Sequence, residues 1–122
     1  MFKLQTKRFA GWITKQHIDE QALFSAVQEI QDGLFDANLG SFLYKKRIAF
    51  LGKGKRGSGR TIVCYRRNDR IIFIHGFAKN ETSNLSKKEL VVLKELAKIL
   101  MKLSPEEVIT AIENGDFVEI EL

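Results

Sequence analysis

Between Phe42 and Phe77 the chain carries three runs of strand-forming residues, and nearly all of its excess positive charge lies on or between them. Phe42 to Phe50, Thr61 to Arg66 and Ile71 to Phe77 are rich in aromatic and β-branched side chains. They are separated by the glycine-rich stretch Gly52 to Arg60 and by Arg67-Asn68-Asp69-Arg70, compositions that suit reversals, so three consecutive antiparallel strands are predicted. From Tyr44 to Lys79 there are eleven Lys or Arg and one acid, Asp69, a balance of +10 in a chain of net charge +5. The remaining residues therefore sum to −5, and the positive charge is gathered rather than spread. Alternation along the first strand puts Lys45 and Arg47 on one face and Tyr44, Lys46 and Ile48 on the other. A clustered cationic face of this kind suits a polyanion, because each phosphate neutralised by Lys or Arg releases condensed counterions.

At 122 residues with 44% hydrophobic content, the chain supports one core, and residues 1–122 are expected to form a single domain. The lone cysteine, Cys64, has no partner for an internal disulfide, which fits a reducing compartment. No apolar run approaches the ~18–20 residues needed to span a bilayer, and no early stretch reads as a secretory signal. A cytoplasmic location and no membrane partner are the expectations.

Helices flank the strands. Phe2 to Leu4 alternates like a short strand, and Thr6 is placed to cap a helix carrying Phe9, Trp12 and Ile13. Asp19 caps a second helix with the apolar stripe Leu23, Ala26, Val27 and Ile30, stopped at Gly33. The acidic character of Asp19 to Asp36 predicts that this segment lies away from the cationic face. Ser86-Lys87-Lys88-Glu89 and Ser104-Pro105-Glu106-Glu107 are capping boxes that start two further helices, and Gly115 ends the last. Phe117 to Leu122 alternates again, with Val118, Ile120 and Leu122 on one face of a terminal strand. The fold class read from this pattern is α+β, a small domain with a central antiparallel sheet and helices packed against it.

Several chemistries fit poorly. Gly52-x-Gly54-x-x-Gly57 matches the dinucleotide fingerprint in letters, but it leads into a strand where that fingerprint opens a helix. No Gly-Lys-Ser/Thr ending is present for a P-loop. His17, His75 and Cys64 lack metal-ligand spacing, so neither a metal nor another cofactor is expected. Cys64, inside an apolar strand, reads as a buried thiol, and His75 as a packed strand residue. The cations themselves support phosphodiester chemistry. Lysine and arginine stabilise charge on a phosphorane, and a lysine crowded by cations has a lowered pKa suited to a base.

Tyr44-Lys45-Lys46-Arg47, Gly54-Lys55-Arg56-Gly57, Gly59-Arg60-Thr61-Ile62-Val63 and Phe77-Ala78-Lys79-Asn80-Glu81, in that order, resemble the RelE/HigB-like toxins of bacterial type II toxin-antitoxin systems. Gly33-Leu34, Asp36 to Gly40 and Asn84-Leu85-Ser86 extend the likeness over nearly the whole chain. The resemblance implies a toxin that cleaves mRNA on the ribosome without a metal and is neutralised by a cognate antitoxin, often of helix-turn-helix type. By position it implies catalytic roles for Lys45, Arg47, Arg60 and Lys79. It implies RNA or ribosome contacts for Lys46, Lys53, Lys55, Arg56 and Arg66, with Lys55 and Arg56 in the loop. Some relatives use a late tyrosine, and none follows Tyr65 here, which leaves proton transfer to a lysine or His75. A gyrase poison of the related ParE branch and a non-catalytic nucleic-acid-binding module are the alternative functions, and the acidic helices leave room for self-association. The nuclease reading requires Lys45, Arg47, Lys55 and Arg60 to converge on one concave site sized for a phosphodiester.

Overall fold

The structure, a computed structural model, describes residues 1–50, 54–78 and 85–121, of which residues 50 and 54–58 are described by their backbone alone. Strand β1 (Phe2–Thr6) leads into helices α1 (Lys7–Lys15) and α2 (Glu20–Gln31). Strands β2 (Ala37–Gly40), β3 (Leu43–Phe50), β4 (Gly54–Arg66) and β5 (Arg70–Ala78) follow, then helices α3 (Lys87–Lys102) and α4 (Pro105–Glu113) and strand β6 (Phe117–Glu119). The six strands form one sheet in the order β2-β3-β4-β5-β1-β6. The α+β class is as the sequence predicts, and β3, β4 and β5 pair antiparallel in succession. One pairing differs: β1 lies parallel to β5, which makes the sheet mixed.

Local chemistry starts each helix where the sequence places it. The Thr6 hydroxyl accepts from Phe9 N at 3.2 Å and the Asp19 carboxylate from Ala22 N at 2.8 Å, each satisfying a donor that the first turn leaves open. Ser86 with Glu89 and Ser104 with Glu107 form complete capping boxes. The two helical pairs then cover opposite faces of the sheet. Leu23, Val27 and Ile30 of α2 and Phe9 of α1 pack with Ile48, Val63, Ile71 and Phe73. Leu93, Ala97 and Leu100 of α3 and Val108 of α4 pack with Leu43, Ile62, Cys64, Ile72 and Phe77. Strand β5 is covered on both sides, as its unbroken apolar run predicts.

Three local features depart from the sequence reading. Strand β4 starts at Gly54, not Thr61, and Phe50 pairs with Gly54, so the backbone of Lys55 and Arg56 belongs to a strand and not to a loop. Glycine permits either conformation, and pairing with β3 selects the strand. Strand β2 adds an edge that the sequence does not announce. Of the face predicted for the terminal strand, Val118 in β6 is exposed, Ile120 just beyond it is buried in a different cluster from Phe117, and Leu122 lies outside the described residues. The strand is three residues long at the sheet edge, so alternation alone does not fix which residues the helices reach.

Gly76 sits where α1 meets β5. A Cβ built there would overlap Cε3 and Cζ3 of the Trp12 ring. Gly76→Ala is therefore expected to destabilise the fold by about 1–3 kcal/mol through overpacking. A thermal melt matching wild type would show that the Trp12 ring does not rest on this residue.

Candidate nucleic-acid interface

The cationic face is built by register. Lys45 and Arg47 share a side of β3 with the buried Leu43, and on β4 Arg60 shares the side of Ile62. Arg47 and Arg60 are direct cross-strand partners, and Lys45 faces Ile62 one step along the same side. Exposure rises along β3 as α3 is left behind: Leu43 is fully buried, Lys45 is half-buried, and the Arg47 side chain is 45% exposed. Like charges placed directly opposite on adjacent strands destabilise a sheet. An anion bound across this end of the sheet would meet Arg47 and Arg60 from neighbouring strands on one side.

Among the described residues, the acid paired with Arg47 is Asp36, just before β2. Its carboxylate accepts from Arg47 N at 2.6 Å and lies 4.0 Å from the guanidinium, while Asp36 N donates to Lys45 O at 2.8 Å. The expectation that all of Asp19 to Asp36 lies away from the cations holds for the body of α2, on the opposite face, and fails at Asp36. Its carboxylate latches the start of β2 to β3 and lowers the local positive charge.

Two residues expected to contact RNA are placed elsewhere. Lys46 projects to the α2 side, is 8% exposed, and pairs with Glu29 at 3.1 Å. Strand alternation separates it from Lys45 and Arg47, so its charge serves the α2–β3 contact. Arg66 lies at the other end of β4, where its Nε donates to Asp69 at 2.6 Å and its Nη1 to Met101 O at 3.1 Å. Beside it, the buried Arg70 donates to Asp69 at 3.1 Å and to Leu100 O at 2.9 Å. The two guanidiniums thus satisfy carbonyls at the C-terminal end of α3, which would otherwise lack donors. The carboxyl of Asp69 would be raised by its partial burial, but hydrogen bonds from Arg66 and Arg70 and their charges hold it below its ordinary value of 3.8.

Lys53 and Lys79 lie outside the described residues, as do the side chains of Lys55 and Arg56. The structure therefore brings together Lys45, Arg47 and Arg60 of the predicted set. The clefts it describes are lined by other residues.

His75 is on the same side of the sheet, opposite Ile62 on β5. Its Nε2 lies 3.9 Å from Glu89 of α3, and with Arg8, Lys88, Val92 and Leu93 these residues line a cleft of ≈ 290 Å³. Burial lowers the His75 pKa below its ordinary 6.5, Glu89 opposes this, and Arg8 adds to it. The folded chain therefore binds fewer protons here than the unfolded chain. Stability is unaffected by His75 above pH 6.5 and falls as pH drops from there towards the folded value. Unfolding free energy is expected to decline between pH 7 and 5, with a shallower slope in His75→Gln. Equal slopes would remove His75 as the cause. Burial also pushes the Cys64 thiol up to about 12, so it stays protonated at neutral pH.

Among the described residues, no three His, Cys, Asp or Glu are grouped closely enough to hold a metal ion. No described helix is long and apolar enough to cross a membrane. Asp36, Glu89 and Arg8 were not readable as neighbours of the cationic face. The one available signal, the likeness around Asp36, carries no information on side-chain contacts.

The sequence model of one family, described as the RelE toxin of the RelE/RelB toxin-antitoxin system, matches residues 1–120. A search of curated proteins gave no match.

Proposed function

Because the chain belongs to the RelE toxin family, whose members are paired with an antitoxin, we propose that it is a ribosome-dependent mRNA endonuclease acting in the cytoplasm. The observation that carries this reading is the pairing of Arg47 with Arg60 across β3 and β4, with Lys45 on the same side. Two guanidiniums fixed on rigid strands offer a forked set of donors to one phosphodiester, and they need little reorganisation when charge builds on it.

In the proposed reaction the 2′-oxygen loses its proton and attacks phosphorus, the bond from phosphorus to the 5′-oxygen breaks, and that oxygen takes up a proton. Arg47 and Arg60 stabilise the added charge on the non-bridging oxygens. Lys45, on the same side of the sheet, is the candidate base. Lys79 and His75 are candidates for the remaining proton transfer. Lys53, Lys55 and Arg56 are proposed to hold substrate or ribosomal RNA, while Lys46 and Arg66 are left to the fold. The antitoxin is proposed to be of the helix-turn-helix type.

The reading is tested by inducing the chain in cells with and without the neighbouring open reading frame. Growth arrest with broken mRNA and normally supercoiled plasmid, relieved by the neighbour, is the expected outcome. Arrest with intact mRNA and relaxed plasmid would replace this reading with a gyrase poison. Steeply salt-dependent RNA binding without arrest would leave only a binding module.

A further inference from the structure

Phe42 occupies a position that its backbone conformation disfavours. Gly40 and Leu43 are paired, so Ser41 and Phe42 form a two-residue connection between β2 and β3, and both have positive φ, 54° and 63°. Turns of this type favour Asn-Gly, because a bulky side chain is strained in the left-handed region. Phe42 is 49% exposed, so burial within the chain offsets only part of that strain. With Ser41 and Met101 it lines a cleft of ≈ 380 Å³ whose remaining lining residues are Arg66, Lys98 and Lys102. Arg66 is held by Asp69, and Lys98 lies 3.3 Å from Glu95. Lys102 has no ion-pair partner among the described residues, and no acid lines the cleft.

We propose that this cleft is a docking site for an acidic segment of the cognate antitoxin, with an apolar side chain seated between Phe42 and Met101 and carboxylates facing Lys98 and Lys102. An aromatic residue and a methionine enclosed by a cationic rim form the kind of anchor that dominates protein–protein affinity. The charge of that rim selects an acidic partner. The site lies five residues along the chain from Arg47, roughly 16 Å at the rise of a strand. It rests on the antitoxin partnership of the family and not on the nuclease reading, so each can fail without the other.

The test titrates the full chain with its purified full-length cognate antitoxin, comparing wild type, Phe42→Gly and Lys98→Glu/Lys102→Glu. Phe42→Gly is expected to weaken binding by about tenfold or more while leaving the melting temperature unchanged or higher, since glycine relieves the turn. That combination separates a docking role from a structural one. The double charge reversal, made at exposed positions, should weaken binding by a similar factor, and it alone decides the matter if Phe42→Gly melts lower. Wild-type antitoxin affinity in both variants would overturn the proposal. So would unchanged antitoxin affinity with lost sedimentation on ribosomes, which would assign the cleft to RNA.

Discussion

Arg47→Ala and Arg60→Ala are each expected to reduce mRNA cleavage by about 10²–10³-fold, the usual cost of removing a donor aimed at developing charge. In the proposed reaction the two act on one phosphate, so the double variant should lose little more than the worse single variant. Stability separates this from misfolding. The Arg47 side chain is 45% exposed and 4.0 Å from its acid, and removing it also removes a like-charge pair across the strands. Its alanine variant should therefore fold within about 0.5 kcal/mol of wild type. Arg47→Lys should recover only part of the activity, since an ammonium keeps the charge but loses the planar fork. Growth arrest on induction reads the loss in cells. Full toxicity in well-folded Arg47→Ala and Arg60→Ala variants would remove both from the mechanism.

The largest effect on stability is expected at Asp69, far from the cation cluster. Arg70 is 2% exposed, and its described partners are the Asp69 carboxylate and the Leu100 carbonyl. Asp69→Ala would leave a buried guanidinium without its counter-charge and free Arg66 from the same carboxylate. A loss of about 3 kcal/mol follows from breaking such a pair, which for a domain of this size lowers the melting temperature by roughly 10 °C. Acid should act in the same direction. The Asp69 carboxyl is held below 3.8, so its contribution is present above that pH and is lost as pH falls through the folded value. A melting temperature for Asp69→Ala within a degree or two of wild type would show that the α3 carbonyls alone hold the two arginines.

These two sites show how far the sequence could be read. The helix starts at Thr6, Asp19, Ser86 and Ser104 were legible because a cap and its first turn are a few residues apart. The split of Lys45 and Arg47 from Lys46 was legible because strand alternation is local as well. What Lys46 does was not, because that depends on α2 crossing β3 and bringing Glu29 within 3.1 Å. The same holds for Arg66 and Arg70. They counted towards a cationic face until α3 was in place and its last carbonyls were seen to take their protons. Strand β2, Ala-Asn-Leu-Gly, has little intrinsic β preference and exists through its pairing with β3. The parallel β1–β5 pairing joins residues about 70 positions apart, a separation no local pattern specifies. Charge density thus pointed to β3 and β4 and overstated the number of cations free to meet a phosphate, since Lys46, Arg66 and Arg70 are engaged within the fold.

The most direct measurement maps mRNA 5′ ends in a translating extract supplied with wild-type protein or with the Arg47→Ala/Arg60→Ala variant. New ends at fixed codon positions with wild type, absent without ribosomes and lost with the folded double variant, are the predicted result. Intact mRNA with wild type, or unchanged cutting by the variant, would contradict the assignment of these arginines to the scissile phosphate.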